Sequence, residues 1–287
     1  MKNIIVPIDF SEESINGLRL AVLFANKFEA RLQMVYVQKL PSEVSRVGLE
    51  EEKKKANSVF RKLLAEFSSK MYDKTKLEYI VKKGKIYREV VNQAQAFEDS
   101  VIICSTHGAS GFEDIFIGSN AFKIISASDN PVITIRHGSV ARDISTIVMP
   151  IDSSTDTRQK VPLTAQIAKA FNAEIHVVGF TSSALEDIEA KVEAYTKQVC
   201  EYLDEQGVSY KKQSMKGSNI TMATIDYALD VKADLISIMT EQNDTLTDYV
   251  LGTSAQQMLN KSPIPVLSVS PKEIFIMGTF RTSGAPY

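Results

Sequence analysis

Ile5-Val6-Pro7-Ile8-Asp9, close to the amino terminus, is written again as Val148-Met149-Pro150-Ile151-Asp152, an offset of 143 residues (148 minus 5). Each copy is an apolar run that ends in aspartate and passes into a serine-bearing turn, Phe10-Ser11 or Ser153-Ser154. Such a run, bounded by a turn, reads as a buried strand, and a helical segment follows in both places. Further marks recur in the same order. Gly84 after Val81-Lys82-Lys83 is matched by Gly217 after Ser214-Met215-Lys216, and Gly118-Ser119 by Gly252-Thr253. Asn130-Pro131-Val132-Ile133 is matched by Ile264-Pro265-Val266-Leu267. Their shared order argues for a tandem duplication joined near residues 138–143.

Each half alternates strand and helix. In the first, residues 2–9 read as a strand and 12–28 as an amphipathic helix with Ile15, Leu18, Val22 and Ala25 on one face. Residues 31–38 are a second strand. Residues 48–71 are a charged helix with Val59, Leu63 and Phe67 turned inward. Strands at 77–82, 101–104 and 132–136 follow, separated by helices at 87–97 and 119–128. The second half repeats this with strands near 145–151, 174–180, 208–214, 234–239 and 265–270. Alternation of this kind predicts right-handed crossovers and a parallel sheet covered on both faces, hence an α/β fold of two tandem doubly wound five-stranded sheets. The expected divisions are residues 1–138, residues 143–271 and a tail, 272–287.

In open α/β sheets ligands bind beyond the carboxyl ends of the strands, where the direction of connection switches. Asp9 ends the first strand there, and Gly108 follows the fourth. Ser105-Thr106-His107-Gly108, then nine residues, then Gly118-Ser119 at a helix start is chemistry suited to an anion. Glycine lets the backbone come close or take positive φ, and the helix start offers free N–H groups and a positive dipole end. An ordinary connecting loop uses glycines for turns, and spacing alone leaves both readings open.

Composition excludes several classes. The chain has 287 residues and a formal charge of −2, so no bulk attraction to nucleic acid is implied. The first residues are too briefly apolar for a signal peptide or a membrane span. Two cysteines, Cys104 and Cys200, make no disulfide framework and fit a reducing compartment, so a cytoplasmic location is expected. No Cys-x-x-Cys or His-x₃-His spacing supplies zinc, and no Gly-x-Ser-x-Gly elbow is present. The loop has no Gly-Lys-Ser/Thr; Lys123 is the next lysine downstream, one turn into the helix. Fast phosphoryl transfer therefore lacks its usual electrostatic parts. Asp9 suits a turn cap or a ligand contact, and no catalytic residue is expected. Glu50-Glu51-Glu52 and Lys53-Lys54-Lys55 read as an exposed helix face.

Pro7-Ile8-Asp9-Phe10-Ser11, Gly84 before a helix, and Thr106-His107-Gly108 spaced nine residues from Gly118-Ser119 resemble the universal stress protein family. The resemblance covers nearly the whole chain as two copies, the tandem type. It implies the adenine nucleotide alpha hydrolase-like strand order 3-2-1-4-5, with the two domains paired through their last strands. It also implies a first domain that binds ATP or another adenine nucleotide, with Mg²⁺ as a companion ion. Asp9 would then contact adenine or ribose, residues around Tyr36 would flank the base, and Gly108, Gly118, Ser119 and Asn120 would hold the phosphates, with Pro7, Ile8 and Ser105 also in the nucleotide site. Ser105 stands where the family signature has its first glycine, a substitution a small residue tolerates if its φ is negative.

The second copy departs further. Counting back from Gly252 places Met239 and Gln242 where the signature has glycine, and the loop carries Glu241, Asp244 and Asp248. Carboxylates beside a phosphate site repel it, so no ordinary triphosphate site is expected there. The function expected is a cytoplasmic stress-response protein with a regulatory nucleotide in its first domain, hydrolysing it slowly at most. The alternative is a nucleotide-independent interaction scaffold with an unidentified protein partner. A homodimer is compatible with either, and neither nucleic acid nor membrane is expected as a partner.

Overall fold

The structure, a computed structural model, describes residues 1–39, 46–106, 118–136, 143–182, 185–240 and 251–271. It falls into two compact units, Met1–Arg142 and Asp143–Tyr287. The first contains β1 (Asn3–Pro7), α1 (Glu12–Phe28), β2 (Arg31–Gln38), α2 (Arg46–Ser68), β3 (Leu77–Lys83), α3 (Ile86–Gln95), β4 (Ser100–Ser105), α4 (Ser119–Ala127) and β5 (Val132–Ile135). The second contains β6 (Thr146–Ile151), α5 (Val161–Phe171), β7 (Glu174–Thr181), α6 (Glu186–Gln206), β8 (Tyr210–Lys216), α7 (Ile220–Asp230), β9 (Leu235–Met239), α8 (Thr253–Lys261) and β10 (Val266–Val269).

All strand pairs within each unit are parallel. The first sheet runs β3-β2-β1-β4-β5 and the second β8-β7-β6-β9-β10, the 3-2-1-4-5 order in both. Ile4, Ile5 and Val6 are buried in succession, as are Ile102, Ile103 and Cys104. Burial of consecutive strand residues means that both faces of the sheet are covered. The chain leaves β1 for β2 on one side and later returns to β4 on the other, so the switch point lies between β1 and β4. The equivalent point in the second unit lies between β6 and β9.

Helix α1 begins where its sequence allows it to. Ser11 caps it by accepting from the Ser14 N–H at 3.2 Å, and Glu12 and Glu13 meet the positive dipole end. Leu18, Val22 and Ala25 are buried, while Ile15 is half-buried. In α2 the inward stripe is Ala56, Phe60, Leu63 and Phe67, and the expected Val59 lies only half-buried beside it.

The matching helix of the second copy starts later. Thr155–Arg158 form a 3₁₀ turn and α5 begins only at Val161, with Pro162 in its first turn. Proline is pre-set for that position and lacks the N–H that would extend the helix backwards. Edge strand β8 lies two residues beyond its expected 208–214; its residues are almost all exposed, so pairing with β7 rather than an apolar pattern fixes its ends. Cys104 and Cys200 are free and buried, and burial pushes both thiols up, Cys104 to about 12. Among the described residues no helix is long and apolar enough to cross a membrane.

Candidate functional site

A cleft of about 610 Å³ opens at the switch point of the first sheet. Pro7, Ile8, Asp9, Tyr36, Ser105, Gly118, Ser119 and Asn120 all line it, so eight of the nine positions singled out in the sequence meet in one place. Gly108, like His107, lies outside the described residues. The walls are Val35, Val37, Ile86 and Ile124, an apolar slot with polar groups at its ends.

The end near β1 and β2 is acidic and aromatic. The Ile8 N–H donates to the Val35 carbonyl at 2.9 Å and carries the strand pairing one residue past β1. The chain then turns sharply. Asp9 Oδ1 accepts from the Ser11 N–H at 3.0 Å and from Ser11 Oγ at 2.5 Å, an Asx-type turn. Phe10, between them, is driven to φ 67°, a conformation unusual for a bulky residue. Its ring lies stacked on Tyr36 with centroids 4.9 Å apart and meets Phe60 edge-on at 5.1 Å. Tyr36 Oη donates to Glu52 Oε1 at 2.6 Å, and Gln38 Nε2 donates to Glu52 Oε2 at 3.2 Å. Burial, the bond to Glu52 and the charges of Glu52 and Asp9 push the Tyr36 phenol up to about 12.

Glu52 corrects the reading of its helix as a purely exposed charged face. It lines the cleft half-buried, while Glu50 turns outward to Lys83 at 3.8 Å. A signal was available: Glu52, Ala56, Phe60, Leu63 and Phe67 follow helical spacing, so the carboxylate sits on the apolar stripe. Phe10 had no such signal, because its contact depends on the turn that Asp9 and Ser11 impose.

The other end is made of backbone. Ser105, last in β4, pairs with Ile135, an extended position where serine costs nothing over glycine. The Thr106 N–H donates to Ile135 O at 2.9 Å, and the Gly118 N–H donates to Thr106 O at 2.6 Å, which fixes the start of α4 against the end of β4. Gly118 caps α4 at φ −59°, ψ 143°, with no side chain bonded across the helix end. That conformation is open to any residue, so positive φ is not what this glycine supplies. As glycine it puts no side chain of its own before the amides of Ser119 and Asn120, both exposed residues. Among the described residues no three metal-ligating side chains gather.

The second copy is built on the same plan and filled differently. Asp152 Oδ1 accepts from Ser154 N at 2.9 Å and Ser154 Oγ at 2.6 Å, and Gly252 caps α8 at φ −57°, ψ 150°. Left-handed caps close both first helices, Glu29 and Asn172, so the offset of 143 holds from Asp9 to Glu29. Among the positions that change in that register, Gly17 becomes Lys160, Tyr36 becomes Gly179 and Phe10 becomes Ser153.

A Cβ on Gly17 would lie 3.4 Å from Ser105 N, so glycine lets α1 settle against the end of β4. Lys160 in its place is 2% exposed and donates through Nζ to the Thr157 carbonyl and, at 3.2 Å, to Thr157 Oγ1. Burial pulls its ammonium down to about 8, partly offset by Asp152. A Cβ on Gly179 would lie 2.8 Å from Thr196 Oγ1, so α6 closes over the strand where Tyr36 stands in the first copy. What remains is a cleft of about 80 Å³. The loop with Glu241, Asp244 and Asp248 lies outside the described residues.

Comparison with known proteins agrees with this architecture. The profile of the universal stress protein family matches residues 1–136 and again 144–270. Universal stress protein MJ0531 of Methanocaldococcus jannaschii is 27% identical over 146 residues, covering 47% of this chain and 82% of that protein. A universal stress protein of Archaeoglobus fulgidus superposes with a TM-score of 0.76 at 18% identity, covering 93% of this chain and 98% of that one. A functionally unknown protein of Pseudomonas aeruginosa PAO1, PA1789, gives a TM-score of 0.69 at 16% identity, covering 94% and 93%. At these identities the two structures share the fold.

Proposed function

The chain belongs to the universal stress protein family, and from that membership we propose that its first domain binds ATP or a related adenine nucleotide as a regulatory ligand. The observation that carries the reading is the 610 Å³ cleft, in which an aromatic and acidic end faces the glycine-capped start of α4 across an apolar slot. Its size is that of a small-molecule site. The apolar walls suit a base, and the Asp9 carboxylate suits a ribose hydroxyl. The amides of Ser119 and Asn120, with the Ser119 hydroxyl, suit phosphate. The second domain, reduced to about 80 Å³, takes no nucleotide. The nucleotide acts by favouring one conformation of the first domain over another, which requires different affinities for the two. Two free thiols support a reducing, cytoplasmic setting.

Calorimetric titration of nucleotide-stripped protein with Mg-ATP tests the proposal. One site per chain is expected, lost at least about 100-fold in Gly118→Phe, a deficit of about 2.8 kcal/mol. Because Gly118 has an ordinary φ, the variant should fold normally. Absence of heat and of co-purified nucleotide in the wild type would overturn the proposal and favour the interaction scaffold.

A further inference from the structure

We infer that the smaller cleft, in the second domain, is a covalent capture site for small aldehydes, with Lys160 as the nucleophile that forms the Schiff base. This site and its chemistry are separate from the nucleotide reading and stand or fall without it. Three observations converge. The first is a buried amine at a cavity wall: Lys160 is 2% exposed, yet it lines the cleft of about 80 Å³. The second is how that amine is held. Nζ donates to the Thr157 carbonyl and to Thr157 Oγ1, which also accepts from the Asp152 N–H at 3.2 Å. An ammonium has three protons and a neutral amine two. Both bonds to Thr157 therefore survive loss of the third proton, and that loss uncovers the lone pair. The third is Thr224, which lines the same cleft from α7 and is 1% exposed. Among the described residues its Oγ1 has no hydrogen-bond partner. A buried hydroxyl left unpaired is costly, and a carbonyl oxygen in the cleft would accept its proton.

The surroundings of the amine select the reaction. Burial holds Lys160 at about 8 against the opposing charge of Asp152. At pH 7 roughly a tenth of it is neutral, against about one in three thousand for an exposed lysine. Desolvation of this kind makes a lysine a nucleophile toward carbonyl carbon. Asp152 also lines the cleft. A free anion, or a carbamate formed on Lys160 from carbon dioxide, would set a second negative charge beside it. A Schiff base does not. The amine nitrogen bonds the carbonyl carbon, the carbonyl oxygen leaves as water, and the protonated imine keeps the positive charge on which Asp152 acts. Ammonium and aldehyde thus give imine cation and water, with no oxidant or further reactant. Volume limits the aldehyde. At roughly 10–15 Å³ for each water-sized centre, about 80 Å³ holds five to eight of them, room for a compound of a few non-hydrogen atoms. Ile220, Ile238 and Met258 in the lining suit a short apolar chain.

The test is reductive trapping. The full chain at pH 7 is treated with acetaldehyde and cyanoborohydride, and alkylation of each lysine is followed by peptide mass spectrometry. Lys160 is expected to be alkylated at least about tenfold faster than the exposed lysines. Naphthaldehyde, too large for the cleft, should reverse that order. In denaturant the advantage with acetaldehyde should vanish, because the amine is then solvated like any other. Thr224→Val, close in shape to the wild type, should slow alkylation of Lys160 about tenfold and leave the exposed lysines unchanged. Alkylation of Lys160 by acetaldehyde no faster than that of exposed lysines overturns the inference. So does an advantage that persists in denaturant, which would assign the reactivity to local sequence. A Lys160 rate unchanged in Thr224→Val overturns the part given to the hydroxyl.

Discussion

The two halves of this chain keep one backbone plan and differ almost eightfold in what they leave open, about 610 Å³ beyond β1 against about 80 Å³ beyond β6. The aspartate turn is the same in both, as is the glycine cap of the fourth helix in each domain. Three of the substitutions in register lie beside these clefts or their supporting strands. Gly17, packed against the end of β4, gives way to Lys160, which lines the smaller cleft, and the stacked pair Phe10 and Tyr36 is replaced by Ser153 and Gly179. Duplicated domains thus conserve the turns that shape a site more readily than the volume that makes it useful. Both glycines permit close approach, Gly17 of α1 to the end of β4 and Gly179 of α6 to its strand.

The largest effect that would sharpen this contrast concerns Lys160. The folded protein holds its ammonium at about 8, whereas the unfolded chain holds it near 10.5. Between those values the unfolded state binds the additional proton, so stability rises with pH. The penalty, on the order of 3 kcal/mol, is present in full below the folded value and is gone above the unfolded one. Lys160→Met removes the charge and nearly preserves the volume. Denaturant unfolding from pH 7 to 10.5 should show the variant ahead at low pH and the wild type catching up. A constant difference across that range would mean that Lys160 is not a buried cation, and the contrast of clefts would lose its main cause.

A smaller effect separates the glycines after β3 and β8. Both donate to the equivalent strand, Gly84 to Gln38 O and Gly217 to Thr181 O. Only Gly84 takes a positive φ, 144°, and a Cβ there would stand 3.2 Å from the Glu89 carboxylate. Gly84→Ala should cost about 2 kcal/mol in chemical denaturation. Gly217→Ala, with Phe180 at an ordinary 3.6 Å, should be neutral or slightly stabilising. Equal costs would show that the two loops are strained alike.

The smallest effects belong to the paired aspartates. Asp9→Ala should weaken nucleotide binding about tenfold, close to 1.4 kcal/mol, by removing a ligand contact and loosening the Ser11 turn. Asp152→Ala should change it by less than about twofold. A large loss from the second variant, measured by the same titration, would bring the second domain into the site.

Most of the fold was legible because strand ends and helix starts here are marked by local chemistry. Residues 31–38 read as a strand and are one, and Ser11 announces α1. The late start of α5 was legible only in part, since Pro162 marks a helix beginning but says nothing about the 3₁₀ turn before it. The meeting of Ser105, Gly118, Ser119 and Asn120 at one end of the cleft was legible for the same local reason. Its aromatic end was not: Tyr36 finds Phe10 and Glu52 across a turn and a helix, contacts that depend on how two elements pack. Lys160 was hidden differently. It lies on the buried stripe with Thr164 and Phe171, but a lysine in a sequence reads as surface until its register with Gly17 is set.

One buried thiol per domain turns the chain into its own pair of stopwatches. A cysteine held protonated and out of solvent reacts with a thiol reagent only in the moments when its surroundings open. Cys104 in β4 therefore times openings of the first domain, and Cys200 in α6 times those of the second. A ligand seated only in the first cleft slows one hand by the factor 1 + [L]/Kd and leaves the other running.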